Sequence, residues 1–94
     1  MVEITWSDTA KENLHDIFDF IAKDSIYYAE KEIDNIDERL KVLHSFPLSG
    51  KVVPEYNNDS VRELIQGNYR IMYKIYSGEA ITILTVHHHS RLMK

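Results

Sequence analysis

The stretch Val61–Lys94, VRELIQGNYRIMYKIYSGEAITILTVHHHSRLMK, decides the fold of this chain. Apolar and polar residues alternate along much of it, which is typical of β-strands with one buried face. We predict three strands there, at about 61–65, 69–76 and 80–87. The pairs Gly67-Asn68 and Ser77-Gly78 separate them, and such residues form tight turns between antiparallel strands. The stretch therefore predicts a three-stranded antiparallel meander.

The middle strand shows most clearly which side chains share a face of the sheet. Successive side chains of a strand point to opposite faces. One face receives Tyr69, Ile71, Tyr73 and Ile75. The other receives Arg70, Met72, Lys74 and Tyr76. We expect helices to cover the first, more apolar face and to leave the second face open.

The first half of the chain predicts one strand and two helices. Residues 2–6 alternate as a strand does, and Ser7 is a suitable N-cap for a helix over about 8–23. A second helix, over about 25–45, has apolar residues at spacings of three and four: Ala29, Ile33, Ile36, Leu40 and Leu43. The connection between the helices is short, so they form an antiparallel hairpin. Tyr27 and Tyr28 are expected to pack at its corner.

Together these elements predict an α+β fold. An N-terminal strand joins the meander, and the two-helix hairpin lies on one face of the sheet. A loop of roughly a dozen residues, ending at 57–60, is expected between the second helix and the meander. At 94 residues the chain is long enough for one domain, 1–94, with one modest core.

Composition and charge narrow the classes of function. The chain has no cysteine, which excludes disulfides, thiolate zinc sites and cysteine catalysis. Neither a secretory signal nor a stretch long enough to span a membrane is visible, so we expect a cytoplasmic protein. Residues 1–50 carry five Lys/Arg and eleven Asp/Glu, whereas residues 51–94 carry six and four. The net charge of -4 and the pI near 5.7 argue against indiscriminate nucleic-acid binding.

Five cationic or titratable side chains in the last third are candidate functional residues: Arg62, Arg70, His87, His89 and Arg91. A sheet is a rigid platform on which such groups can bind a phosphate or an acidic partner. Arginines can stabilise the charge of a phosphorane, and an imidazole can act as general acid or base near neutral pH. We expect these groups to converge on the open face, as a surface that contacts a target or as a catalytic site.

Structural explanations of the same residues remain open. Arg62 is equally well explained as an exposed strand residue paired with Glu63 or another carboxylate. Arg70 can form a structural ion pair with Glu55 or Glu63. The run His87-His88-His89 does not predict a metal site, because only the first and third side chains share a face and two ligands make a poor zinc site. We expect neither a metal nor a cofactor.

The order of elements and several short motifs resemble the RelE/ParE superfamily of type II toxins. The matching residues in the last third are Arg62-Glu63-Leu64, Gly67-Asn68-Tyr69-Arg70-Ile71-Met72-Tyr73, Ile83-Leu84-Thr85-Val86-His87 and Arg91. Earlier in the chain they are Trp6-Ser7, Ala10, Leu14, Phe46-Pro47, Gly50 and Val53-Pro54-Glu55. The resemblance covers nearly the whole chain. It implies a toxin of a bacterial plasmid-stabilisation system, encoded beside an antitoxin that neutralises it.

Two activities occur in this superfamily, and the resemblance favours one of them. ParE-like members inhibit DNA gyrase, and RelE-like members cleave mRNA on the ribosome. The ending from His87 to Arg91 looks ParE-like, whereas the acidic pI and the lack of a terminal tyrosine depart from RelE-like nucleases. We therefore predict a gyrase inhibitor, with an mRNA endoribonuclease and a non-toxic partner-binding module as alternatives. A homodimer or a hetero-oligomer with the antitoxin is compatible with either activity.

Overall fold

The computed structural model describes residues 1–88 and has the predicted α+β fold. Its helices and strands are β1 (Glu3–Trp6), α1 (Asp8–Ala22), α2 (Ile26–Leu40), β2 (Lys51–Val52), β3 (Val61–Gln66), β4 (Tyr69–Ser77) and β5 (Ala80–His88). The strand order in the sheet is β1-β5-β4-β3-β2. Strand β1 runs parallel to β5, and the other neighbours are antiparallel. Within the described residues, neither helix is both long and apolar enough to cross a membrane.

Serine side chains begin both helices, as their sequence contexts suggest. The Ser7 hydroxyl accepts a hydrogen bond from the Ala10 amide at 3.0 Å, and it also donates one to the Leu84 carbonyl at 2.9 Å. The Ser25 hydroxyl accepts from the Tyr28 amide at 3.1 Å. The first cap therefore also attaches the start of α1 to β5, which fixes the helix on the sheet.

The second helix is shorter than the predicted 25–45, because its last turn is remodelled by a contact with the N-terminus. The α-helix ends at Leu40 and continues as a 3₁₀ turn, Lys41–His44. The Val2 amide donates to the His44 carbonyl at 3.1 Å, and the Nδ1 atom of His44 lies 2.6 Å from the Val2 carbonyl oxygen. These two contacts hold the tighter turn beside the start of β1.

The faces of the sheet agree with the prediction from strand alternation. On the helix-covered face, Ile71 and Tyr73 are fully buried and Tyr69 is nearly so. They pack in the main core with buried residues of both helices and of β5, which include Ile17, Ile36, Leu40, Ile81, Ile83 and Val86. Arg70 is on the opposite face, across from Ile65 on β3 and His87 on β5.

The segment between α2 and β3 is more ordered than the predicted loop. It contains a 3₁₀ turn at Pro47–Ser49, the short edge strand β2 and a second 3₁₀ turn at Pro54–Tyr56. Val53 lies between the last two and is fully buried against Val61 and Met72, with Leu84 beside them. A small second core therefore covers part of the face that we expected to be open, and it buries Met72.

Candidate functional site

Arg70 lies on the open face near the start of the central strand β4, where it is paired with a carboxylate. Its Nε donates to Oε1 of Glu63 at 2.5 Å, and its Nη2 contacts the same oxygen. Each side chain is only 15% exposed. The structural ion pair with Glu63, one of the two partners considered for Arg70, is therefore formed. It neutralises the charge that Arg70 would otherwise present on this face.

His87 lies across from Arg70 in the sheet, and its surroundings favour the neutral imidazole. Burial lowers the pKa of His87 below its ordinary value, and the Arg70 guanidinium lowers it further, against a smaller opposite effect of Glu63. The Nε2 atom of His87 is buried and has no hydrogen-bond partner in residues 1–88. The same holds for Oγ1 of Thr85, two residues earlier on the same face of β5.

Arg62 does not join Arg70 and His87. It is across from Tyr73 in the sheet, so its side chain emerges on the helix-covered face. Its Nη1 donates to the carbonyls of Leu48 and Gly50 at 3.1 and 3.0 Å, and its Nε donates to the Asp59 carbonyl at 3.0 Å. The expected convergence of Arg62 with the other cations is therefore not seen. His89 and Arg91 lie outside the described residues.

The Tyr73 side chain, like Arg62, binds the main chain of the segment 47–50. Its buried hydroxyl donates to the Pro47 carbonyl at 2.9 Å and accepts from the Gly50 amide at 2.9 Å. Burial raises the pKa of this hydroxyl, against smaller opposing effects of the Gly50 hydrogen bond and of two arginines. A Cβ atom at Gly50 would meet the Tyr73 ring and the Glu63 carbonyl oxygen, at 2.7 Å each, so only glycine fits.

Two groups of exposed apolar side chains were not anticipated from the sequence. The loop patch consists of Phe46, Leu48 and Val52, which are 64%, 64% and 38% exposed. The hairpin tip consists of Phe20, Ile26, Tyr27 and Tyr28, each at least 60% exposed. The expectation that Tyr27 and Tyr28 pack at the hairpin corner is therefore wrong, since both side chains are more than 60% exposed and their rings contact each other edge to face. Phe46 and Leu48 flank Pro47 outside any periodic pattern, so no helix or strand signal identified them.

Within residues 1–88, Arg70 and His87 do not offer a free guanidinium beside an accessible imidazole. Phosphodiester cleavage needs an uncompensated cation near the phosphate together with an accessible acid and base. Arg70 is neutralised by Glu63, and Nε2 of His87 is buried. The open face also carries Lys74, which lies 5.0 Å from the centre of the Tyr76 ring at the far end of the strand, and the exposed Lys51, which is across from Glu63 on β2. Between residues 1 and 88, no three His, Asp or Glu side chains are placed to hold a metal ion.

Comparisons with known proteins agree with this architecture. The family model described as "ParE toxin of type II toxin-antitoxin system, parDE" matches residues 4–93. A solved structure described as "Chromosomal ParDE TA system from P. aeruginosa" matches with a TM-score of 0.75 at 23% sequence identity. That match covers 94% of this chain and 96% of the other, and at this identity it shows the fold alone. No curated protein matches the chain.

Proposed function

The chain belongs to the ParE toxin family of type II toxin–antitoxin systems, and on that premise we propose that it stops growth by binding DNA gyrase. In this proposal the toxin catalyses no reaction and acts by occupying its target. The observation that carries the proposal is the Arg70–Glu63 pair on the open face. A surface on which the candidate arginine is already neutralised suits contact with a protein better than contact with a phosphate backbone.

The net charge of the chain favours a protein over mRNA as the target. Binding of nucleic acid gains most of its free energy from phosphates that are neutralised by Lys and Arg. The chain has eleven such residues against fifteen Asp and Glu, and its net charge is -4. In residues 1–88 the open face offers Lys74 beside Tyr76, the exposed Lys51, the partly exposed Ile65, and His87, whose neutral form is favoured. This mixture of aromatic, apolar and compensated polar groups is typical of a protein interface.

The proposal assigns the sequence-predicted residues to different tasks. In this proposal Arg70 and His87 belong to the surface that contacts the target, and His89 and Arg91 take part in the same contact. Arg62 supports this surface only indirectly, because its guanidinium holds the segment before β2. The toxin acts in the cytoplasm, where gyrase is found, and it forms a hetero-oligomer with the cognate antitoxin that neutralises it.

The test is expression without the antitoxin, combined with an assay on purified protein. We expect SOS induction and filamentation in cells, and loss of supercoiling by purified gyrase when the purified toxin is added. Primer extension on abundant transcripts serves as the measurement for the nuclease alternative. Discrete new 5′ ends after induction, together with unaffected gyrase, would mean that the protein is a RelE-like endoribonuclease. Normal growth with a folded product would mean a non-toxic binding module.

A further inference from the structure

A solvent-accessible groove of about 600 Å³ lies between α1 and α2. Most of its lining is apolar. Leu14, Ile33 and Ile36 form its floor and also pack in the main core. Phe18 lines the groove as well, but it is only partly buried and is not a member of the main core of residues 1–88. The fold therefore leaves part of an aromatic ring in the groove for a partner to cover.

The two helices contribute opposite charges to the groove. Its lining includes Lys11 and the titratable His15 from α1, and Asp34 and Asp37 from α2. His15 contacts Asp19 of its own helix at 3.3 Å. None of the ion pairs formed within residues 1–88 includes Lys11, Asp34 or Asp37, and all three side chains are exposed. An apolar groove thus carries an unpaired ammonium on one helix and unpaired carboxylates on the other.

The antiparallel hairpin places these opposite charges at the same level along the groove. Residues that are equally far from the connection between two antiparallel helices lie side by side. Lys11 and Asp37 are each thirteen residues from Asp24 in that connection. His15 comes nine residues before Asp24, and Asp34 comes ten residues after it. Each basic or titratable group of α1 is therefore level with a carboxylate of α2.

This arrangement makes the groove complementary to a second copy of itself. In a dimer with twofold symmetry, both subunits use the same surface. A twofold axis along the groove sets α1 of each subunit against α2 of the other, so that Lys11 meets Asp37 in two equivalent contacts. The two apolar floors then face each other, as in a four-helix bundle. A purely acidic or purely basic partner would instead meet like charge on one of the two helices.

We propose that the groove is the interface of a weak symmetric homodimer built on four helices. Each helix has 15 residues, so the face of the hairpin measures about 22 Å by about 20 Å. The dimer would bury roughly 900 Å² in total, an area that is typical of weak and transient complexes. We expect a dissociation constant of about 10–100 µM. The inference does not rest on gyrase binding, because it concerns the toxin alone.

The first test reverses one charge at a time and measures the dimer of the full-length toxin by sedimentation equilibrium. Lys11→Glu and Asp37→Lys each bring like charges together twice in the dimer, and each should weaken it by about 10-fold or more. Lys31→Glu and Glu12→Lys are the matched controls. They change the net charge equally, at exposed positions of the same helices outside the groove lining. Each control should change the dissociation constant by less than about 3-fold.

An equimolar mixture of the two groove variants tests the symmetry itself. In the mixed dimer, one contact joins the two introduced charges, which are opposite, and the other joins the native Lys11 and Asp37. The mixture should therefore form a dimer within about 3-fold of the wild-type affinity, although neither variant does so alone. A charge interaction within a single chain cannot produce this recovery, because neither chain of the mixture carries both substitutions.

The apolar part of the interface is tested by Phe18→Ala. Loss of the ring should weaken the dimer by about 10-fold. Tyr28→Ala, at a position that is 62% exposed and outside the groove lining, is the control and should have an effect of less than about 3-fold. Circular dichroism and thermal unfolding verify that every variant is folded.

Three results would overturn the inference. In the first, the wild-type toxin stays monomeric up to about 500 µM, a concentration well above the expected dissociation constant. If Phe18→Ala then weakens only the complex with the antitoxin, the groove receives the antitoxin instead. In the second, the toxin dimerises but groove and control variants behave alike, so another surface forms the dimer. In the third, the mixed variants fail to dimerise, which refutes the twofold pairing of α1 with α2. Inhibition of gyrase can stand or fail in each case, since it is measured separately.

Discussion

The two faces of the sheet differ in how completely their buried polar groups are satisfied. On the helix-covered face, the buried Tyr73 hydroxyl both donates and accepts a hydrogen bond. On the open face, Nε2 of His87 and Oγ1 of Thr85 are buried without a partner in residues 1–88. Native proteins leave few buried polar atoms unsatisfied, and those that remain call for an explanation. We therefore expect the helix-covered face to contribute more to stability than the open face does.

Truncation of the main core tests this difference most strongly. Ile71 is fully buried under the helices, whereas Ile65 on the open face is 41% exposed. Ile71→Ala should lower the free energy of unfolding by about 2–5 kcal/mol, because it leaves a cavity in the core. Ile65→Ala is the matched control and should cost less than about 1 kcal/mol. Urea denaturation followed by circular dichroism measures both, and equal losses would contradict the assignment of stability to the helix-covered face.

Removal of the Tyr73 hydroxyl tests whether its two hydrogen bonds contribute to the stability of the fold. Tyr73→Phe deprives the Pro47 carbonyl and the Gly50 amide of their partner, which should cost about 1–3 kcal/mol of unfolding free energy. Tyr76→Phe removes a hydroxyl from a ring that is 60% exposed, and it should change stability by less than about 0.5 kcal/mol. Thermal unfolding of the two variants compares them. The contribution of these hydrogen bonds to stability is refuted if the two melting temperatures shift by the same amount.

A substitution of Glu63 tests whether its carboxylate neutralises the charge of Arg70 on the open face. Glu63→Gln keeps an oxygen that can accept from Arg70 but removes the opposing charge, so it should cost only about 0.5–1.5 kcal/mol of stability. The freed guanidinium should bind polyanions more strongly, seen as later, salt-sensitive elution from heparin. Glu79→Gln, at an exposed turn, removes the same charge elsewhere. Identical elution of the two variants would show that Glu63 does not control the charge of the open face.

The sequence predicted those features that depend on local periodicity. Alternation along residues 69–76 correctly separates Ile71 and Tyr73 from Arg70, because a strand has two faces and one is buried. The helical hairpin follows in the same way from apolar spacing. The family resemblance stated from the sequence is confirmed as well, by the match over residues 4–93.

The remaining features depend on contacts between distant segments, which periodicity does not encode. The role of Arg62 depends on carbonyls of residues 48, 50 and 59, whose directions are set by 3₁₀ turns and a buried glycine. The burial of Met72 depends on Val53, which reaches the open face through the short strand β2. The exposure of Phe46 and Leu48 follows from the same turns. No pattern within either segment alone determines these outcomes.

The smallest effect that we expect is a dependence of stability on the protonation of His87. The pKa of His87 is lowered in the folded protein, so the unfolded chain binds a proton more readily than the folded one. The free energy of unfolding therefore rises with pH from the folded pKa up to the ordinary value of 6.5, and this stabilisation is lost as the pH falls through that range. Between about pH 7.5 and about pH 5.5, wild type should lose more stability than His87→Gln, which has no imidazole to protonate. Urea denaturation at the two pH values gives the difference, and contributions of carboxylates common to both proteins cancel. Equal losses would mean that the imidazole is hydrated in solution, and the unsatisfied Nε2 would then no longer distinguish the open face from the helix-covered one.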